Sequence, residues 1–167
     1  HLQLVADTYG APDAPPVILL HGGGQTRHAW GGTAQRLAEA GWYAISVDMR
    51  GHGESDWDPD EDYSLNAFSA DVRALCATLS QPPVVVGASL GGIAALLTEG
   101  ESGATLFRAI VLVDITPRME AQGVNRIISF MLEHAEVGFA TLEDAADAVA
   151  SYMPNRPRPK DVSRLKK

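Results

Sequence analysis

The stretch VVVGASLGGIAALL, residues 84–97, constrains the fold of this chain more than any other part of it. Consecutive valines are typical of a buried strand, and the apolar run after Ser89 has the composition of a helix. Only Gly87-Ala88-Ser89-Leu90-Gly91 separates the two, so the chain changes direction within a few residues. The pattern therefore predicts a strand, a sharp turn that carries Ser89, and a helix, which is the setting of a nucleophilic serine.

Strand and helix patterns alternate on both sides of this turn. The predicted strands are 2–9, 17–20, 42–47, 84–86 and 109–115, and the predicted helices are 30–40, 64–79 and 90–99. Ser64 is predicted to be the N-cap of the second helix, and Gly41 to end the first. Because strands that alternate with helices form right-handed βαβ units, the predicted fold class is α/β. Its sheet is mostly parallel and doubly wound, with helices on both faces.

The pattern changes after Pro117. Residues 119–136 and 141–153 predict two amphipathic helices with no strand between them, and Thr141 with Asp144 resembles a helix-start box. A proline-rich joint, MPNRPRPK, follows, and the last residues predict the beginning of a third helix. We therefore divide the chain into a sheet domain, 1–117, and a helical segment, 118–167.

Composition limits the class of protein. Hydrophobic residues make up 46% and charged residues 20%, as in ordinary globular domains, and the net charge of −8 disfavours a nucleic-acid partner. Cys76 is the single cysteine, which excludes an internal disulfide, and its place on the apolar stripe of a helix predicts a buried thiol. No apolar run approaches the roughly 20 residues of a membrane span, and the first residues do not show the charged-then-apolar pattern of a secretory leader. We expect a cytoplasmic protein without a membrane partner, metal ion or organic cofactor.

A second glycine-rich stretch, LLHGGGQT, follows another predicted strand. Glycines allow backbone N–H groups to turn toward a bound oxygen, which would complete an oxyanion hole with the N–H of Leu90. Gly23 is the first candidate for this donor and Gly24 the second. A dinucleotide fingerprint would need a glycine where Arg27 stands, and no Gly-Lys-Ser/Thr follows, so neither nucleotide-binding loop matches. His21, directly before the glycines, is predicted to fix the loop.

Four segments together resemble the N-terminal part of an α/β-hydrolase: LLHGGG, SVDMRGHGESD, VVVGASLGG and IVLVDITP. They occur in this order within residues 2–117, and the branch they resemble contains cap-bearing esterases, carbon–carbon hydrolases, epoxide-hydrolase-like proteins and cofactor-free haloperoxidases. The resemblance implies an α/β-hydrolase core for 1–117 and the start of a helical cap for 118–167. It also implies that the first strand, the rest of the cap and the last two strands with their helices lie outside these 167 residues.

The resemblance also implies roles for individual residues. A structural role, tying down the floor of the active site, is implied for the loop residues Asp48, Arg50, Gly51, Gly53 and Ser55. Ser89 stands where epoxide hydrolases and haloalkane dehalogenases of this fold carry an aspartate. The chemistry implied is therefore acyl chemistry on an ester, thioester, amide or vinylogous diketone, or perhydrolysis.

The sequence offers no clear catalytic base for Ser89. The family order is nucleophile, acid, histidine, with the histidine after the last strand. The five histidines here are His1, His21, His28, His52 and His134. The first four precede Ser89 and the fifth lies in a predicted cap helix, so we expect the triad histidine outside this chain. The acid is open as well: Asp114, after the strand AIVLVDI, is either the triad acid or a floor residue bonded to backbone.

The predicted function is that of a serine hydrolase that acts on an ester or related carbonyl bond through an acyl-enzyme. The alternative is a non-catalytic binding module or an inert fragment that lacks the triad histidine. The candidates for lining a pocket are His28, Trp30, His52 and Met119. They follow strand ends, where ligands bind in such sheets. The expected partner is a small, apolar, ester-like molecule, and the sequence indicates no oligomeric state.

Overall fold

The computed structural model describes residues 2–116, 120–134 and 137–166, and the chain divides into two compact units, His1–Pro117 and Arg118–Lys167. The strands of the first unit are β1 (Ala6–Tyr9), β2 (Pro16–Leu20), β3 (Tyr43–Val47), β4 (Val84–Ala88) and β5 (Ala109–Val113). Its α-helices are α1 (Gly31–Glu39), α2 (Leu65–Ala77) and α3 (Leu90–Gly100), with a short 3-10 helix at Arg27–Trp30.

The five strands form one sheet in the order β1-β3-β2-β4-β5. The pairs β2–β3, β2–β4 and β4–β5 are parallel, whereas β1 runs antiparallel to β3. Only a short turn joins β1 to β2, whereas a parallel pair of strands would need a crossover of about a dozen residues. Strand β1 therefore runs opposite to β2, and also to β3, which is parallel to β2. The predicted α/β class with a mostly parallel sheet is confirmed, and the antiparallel strand lies at an edge.

Helices cover the sheet on two faces because its central strands are apolar at successive positions. On one face, Ile18 and Leu20 of β2 pack with α2 and α3 through residues such as Phe68 and Ala94. On the other face, the cluster that contains α1 consists of Val17, Leu19, Ala34 and Ala44, with Leu37 and Trp30 packed against it. The single thiol, Cys76, packs at the edge of the first cluster, and burial raises its pKa to about 11.

The ends of the helices follow local chemistry. The Ser64 side chain accepts a hydrogen bond from the N–H of Ala67, which confirms it as the N-cap of α2. After α1, Gly41 adopts φ +86°, a conformation that favours glycine. Both predicted boundaries are therefore confirmed. The first strand is shorter than predicted, since only Ala6–Tyr9 pairs with β3.

Strand β5 forms the other edge of the sheet. Val84 and Val86 of β4 face the side of the sheet that α1 covers. Val111 of β5 pairs with Val86 and faces the same side. Val111 and Val113 are 45% and 37% exposed, although a strand that is apolar at successive positions is typical of one buried on both faces. Within residues 2–116, no element covers this end of that face.

The second unit contains α4 (Ala121–Glu133), α5 (Leu142–Tyr152) and a 3-10 helix at Val162–Lys166. Thr141 and Asp144 form the predicted capping box at the start of α5. The rings of Phe130 and Tyr152 stack at 4.4 Å and join α4 to α5. The predicted third helix is only the short 3-10 segment. No helix in the described part of the chain is long and apolar enough to cross a membrane.

Candidate active site

Ser89 stands at the apex of the turn between β4 and α3. Its backbone adopts φ +43° and ψ −111°, in a region that residues other than glycine rarely occupy. The N–H of Ser89 donates to the carbonyl of Val113 on the neighbouring strand, at 3.1 Å. Such a conformation costs of the order of 1–3 kcal/mol, so the surrounding structure must hold it in place.

The glycines around Ser89 let strand, helix and loop approach one another closely. A Cβ on Gly87 would lie 2.5 Å from the backbone nitrogen of Gly92, and a Cβ on Gly91 would lie 2.6 Å from both Cβ and the carbonyl oxygen of Leu20. A Cβ on Gly92 would lie 2.6 Å from a methyl carbon of Ile115. None of these sites has room for alanine, which accounts for the sequence pattern around Ser89.

The glycine-rich loop after β2, residues 21–24, lies against this turn. The N–H of Gly91 donates to the carbonyl of His21 at 3.2 Å. The position that a Cβ on Gly22 would occupy is 3.5 Å from Cβ of Ser89, and the corresponding position on Gly23 is 3.9 Å from Cδ2 of Leu90. The structure therefore brings together the two stretches in which the sequence placed a nucleophile and an oxyanion loop.

The N–H groups of this loop differ in their partners. The N–H of Gly22 donates to Oε1 of Gln25 at 3.0 Å, and that of Gly24 donates to Nε2 of His52 at 3.2 Å. The N–H of Gly23 has no acceptor among the described residues. Leu90 begins α3, so its N–H has no acceptor in a preceding helical turn. Of the two glycines considered as donors, Gly23 is the one whose N–H remains available.

His21 fixes the loop rather than facing solvent. Its ring is fully buried, Nε2 accepts the N–H of Met49 at 3.0 Å, and Nδ1 lies 2.8 Å from the carbonyl oxygen of Gly22. Because a backbone N–H only donates, the ring proton must be on Nδ1, which donates to Gly22. Burial lowers the pKa of His21 and so favours this neutral form. Both nitrogens are occupied, as the predicted loop-fixing role requires.

The loop after β3 is held by buried charge. Asp48 is fully buried, accepts the N–H groups of Arg27 and Glu54 at 2.6 and 3.0 Å, and pairs with the Arg27 guanidinium. Burial alone would raise the pKa of Asp48. The two N–H donors and Arg27 outweigh that effect and hold the pKa below its ordinary value. The guanidinium also contacts Asp7, with Nε 3.0 Å from Oδ1.

Arg50 and Ser55 extend the same framework. Nε and Nη2 of Arg50 bind both oxygens of Asp71 on α2, at 2.6 and 2.7 Å. The Ser55 hydroxyl donates to the carbonyl of Asp48 at 2.6 Å and accepts the N–H of Val5 at 2.8 Å. These contacts join the loop after β3 to α2 and to the segment before β1.

The remaining predicted residues include Asp114, which lies beside the turn because the carbonyl of the preceding Val113 accepts the N–H of Ser89. Asp114 ends β5 with φ +53° and is exposed, and the exposed His28 lies 3.7 Å from Asp7. Trp30 packs against the core cluster on the α1 face. Met119 falls outside the described residues. His134, in the second unit, packs against Phe139 with ring centroids 4.4 Å apart.

No hydrogen bond joins Ser89 to a histidine within residues 2–116, 120–134 and 137–166. The same residues contain no group of three or more histidine, cysteine or acidic side chains suited to hold a metal ion. Sequence reasoning missed Gln25, which accepts the N–H of Gly22, and it noted Arg27 only for not being glycine. Nothing in a single sequence reveals that Arg27 reaches Asp48, which is far away along the chain.

Comparisons with known proteins agree with this fold. The family model for the α/β hydrolase fold matches residues 15–136. Esterase Rv0045c of Mycobacterium tuberculosis is 33% identical over 159 residues, which are 92% of this chain and 51% of that protein. Protein phosphatase methylesterase 1 of Mus musculus is 26% identical over 140 residues, 81% of this chain and 36% of that protein. A crystal structure of an α/β hydrolase from Novosphingobium aromaticivorans gives a TM-score of 0.76 at 28% identity, and the match covers 98% of this chain and 57% of that one.

This chain therefore spans 51% of the length of the mycobacterial esterase and 36% of that of the methylesterase.

Proposed function

The chain belongs to the α/β hydrolase fold family, and on that premise we propose that it is part of a serine hydrolase that cleaves an ester or related carbonyl bond. Ser89 is the nucleophile of this proposal. The N–H groups of Leu90 and Gly23 are the oxyanion donors. That relatives are named esterase and methylesterase supports the reaction class.

The proposed reaction has two steps. The Ser89 hydroxyl loses its proton to a base as its oxygen attacks the carbonyl carbon, and the carbonyl oxygen becomes an oxyanion that accepts the two N–H groups. Collapse releases the alcohol, which takes up the proton, and leaves an acyl-enzyme on Ser89. Water, deprotonated by the same base, then attacks the acyl group. The ester bond to Ser89 breaks, the acid is released, and the base returns the proton to the Ser89 oxygen.

One observation carries this proposal: the glycine loop lies beside the strained serine with a single unoccupied N–H. Ser89 at φ +43° and the loop at 22–24 come from different strands and meet at the Gly91–His21 hydrogen bond. Holding a serine in such a conformation serves no evident packing purpose. In α/β hydrolases such a turn exposes the serine oxygen at the top of the sheet, where it can attack a carbonyl carbon.

The base is a part of the proposal that the described residues do not supply, and there are two candidate places for the acid. His21 and His52 use both ring nitrogens in bonds to backbone. We propose that a histidine beyond these 167 residues serves as base, with its carboxylate partner either there or at Asp114. That residues 118–167 begin a helical cap also stays a prediction.

The alternative, a binding module without catalysis, draws on a different observation: among the described residues, no histidine bonds to Ser89. It would keep the loop and the turn but transfer no proton. The substrate of the proposed hydrolase is a small molecule with an ester-like bond, and we assign no narrower class.

A fluorophosphonate probe separates the two functions. The complete protein is treated with the probe, and its intact mass and labelled peptide are determined by mass spectrometry. We expect one label per chain, on Ser89, and none in Ser89→Ala. Ser80→Ala is the matched control, since Ser80 is an exposed serine at the opposite end of β4, and it should label like the wild type. A folded wild-type protein that stays unlabelled would favour the binding module.

A further inference from the structure

We propose that His52 is a positioning residue for the oxyanion loop: by accepting the N–H of Gly24, it leaves Gly23 as the loop donor to the substrate. The inference rests on the proposed function and adds a residue to it. His52 lies in the loop after β3, and its Nε2 is 3.2 Å from the nitrogen of Gly24. Its Nδ1 is 2.9 Å from the carbonyl oxygen of Arg50.

These two bonds fix the protonation of the ring. The N–H of Gly24 only donates, so Nε2 of His52 carries a lone pair and Nδ1 carries the proton that is donated to Arg50. The ring thus joins Gly24 to the backbone of the loop after β3. It does so as a neutral acceptor with both nitrogens in use.

His21 and His52 form a pair around the loop. Their ring centroids are 4.9 Å apart. His21 binds the carbonyl of Gly22 and the N–H of Met49, whereas His52 binds the N–H of Gly24 and the carbonyl of Arg50. The two rings therefore hold the residues on either side of Gly23, and they anchor them to neighbouring residues of one loop.

His52 is the member of the pair that can be changed without opening the core. His21 is fully buried, whereas His52 is partly exposed, and its other ring neighbour is Phe68 at 6.5 Å. Without an acceptor at position 52, the N–H of this φ +73° glycine loses its partner, and the turn around it is held by the hydrogen bonds between Gly22 and Gln25 alone. The Gly23 donor then loses its fixed geometry, on which stabilisation of an oxyanion depends.

The test compares His52→Phe with His52→Gln in the complete protein. Phenylalanine keeps a ring against His21 and Phe68 but has no acceptor, whereas the glutamine Oε1 can accept the Gly24 N–H. We expect His52→Phe to lower kcat for p-nitrophenyl acetate about tenfold, with KM within about twofold, because the lost geometry acts on the transition state. His52→Gln should recover most of kcat. Active sites are counted by fluorophosphonate titration, so that misfolded molecules do not lower the apparent kcat.

The outcomes separate the two proposals. One outcome would overturn the role of His52 and leave the serine hydrolase intact: wild-type Ser89 is labelled, and both variants keep the wild-type kcat per active site. Equal losses in both variants would also overturn it, since only the acceptor distinguishes them. A wild type that neither labels nor hydrolyses the ester would overturn the proposed function, and the role of His52 with it. If His52→Phe does not fold, His52→Leu, which also lacks an acceptor, carries the same expectation.

Discussion

The turn after β4 and the loop after β3 both hold His21, but they do so by different physical means. The turn donates the N–H of Gly91 to the His21 carbonyl and depends on glycines that pack without a side chain. The loop donates the N–H of Met49 to the His21 ring and depends on the buried charges of Asp48 and Arg27. The turn depends on the absence of side chains at its glycines, and the loop depends on a buried ion pair.

This difference predicts different sensitivities. Added volume should damage the turn, since its neighbours are backbone atoms that cannot move aside. Loss of charge should damage the loop, since a buried ion without its partner is strongly unfavourable. The oxyanion loop is bonded to both regions through His21, so either kind of change should disturb it.

The largest effect should come from Ser89 itself. We expect Ser89→Gly to lower kcat/KM for p-nitrophenyl acetate by about 10⁵-fold, because no nucleophile remains. The same variant should raise the free energy of unfolding by about 1 kcal/mol, since glycine adopts φ +43° without strain. Ser89→Ala is the control, which should lose the activity without gaining stability. If the two variants unfold at the same urea concentration, the turn is not strained.

The charge at Asp48 gives the next largest effect. Asp48→Asn should lower the free energy of unfolding by about 3 kcal/mol at neutral pH, because Arg27 loses its buried partner. Since the pKa of Asp48 is lowered in the fold, its contribution is complete above the unfolded-state pKa of about 3.9 and is lost as the pH falls through the lower folded value. Urea titrations across this range should show a shallower acid limb in Asp48→Asn.

The control for that measurement is Glu54→Gln. Glu54 contacts the same guanidinium, but its side chain is 69% exposed, so we expect at most about 0.5 kcal/mol. Equal losses in the two variants would mean that burial of Asp48 is not what makes its pairing matter.

Volume at Gly91 should cost somewhat less. We expect Gly91→Ala to lower the free energy of unfolding by about 2 kcal/mol, because its Cβ would lie within 2.8 Å of Leu20 and of the His21 carbonyl. This change should not depend on pH. Gly100→Ala is the matched control in the same helix, since a Cβ there meets nothing within 4 Å. Helix propensity favours alanine at both positions, by up to about 1 kcal/mol, so a loss at Gly91 that is matched at Gly100 would contradict crowding as its cause.

The same contrast explains how much the sequence could predict. The strand, turn and helix around Ser89 are local, so the pattern VVVGASLGG predicted a strand, a sharp turn that carries the serine, and a helix. The alternation of strands and helices predicted the α/β class, since each element is a local pattern of apolar residues. Ser64 and Thr141 were recognised as caps for the same reason.

Contacts between distant residues were not predictable in this way. Arg27 reaches Asp48 and Gly24 reaches His52 only after β2 and β3 have paired, and single residues carry no mark of such partners. The pairing of β1 with β3, and not with β2 that follows it in the chain, also joins residues that are far apart in the sequence. Gly23 could be preferred over Gly24 from sequence, but the reason for that preference became visible only with the His52 contact.

Substitution of Asp114 has the smallest expected effect. It tests whether the end of β5 supplies the acid of the proposed catalytic site. Like Ser89, it ends a strand with positive φ, but its side chain is exposed at the edge of the sheet. We expect Asp114→Asn to keep kcat for p-nitrophenyl acetate within about threefold, whereas loss of a triad carboxylate costs about 10⁴-fold. Asparagine also tolerates φ +53°, so the fold is kept and the change isolates the charge. A loss near 10⁴-fold would identify Asp114 as the acid and would place the end of β5, with the turn after β4, in the catalytic machinery.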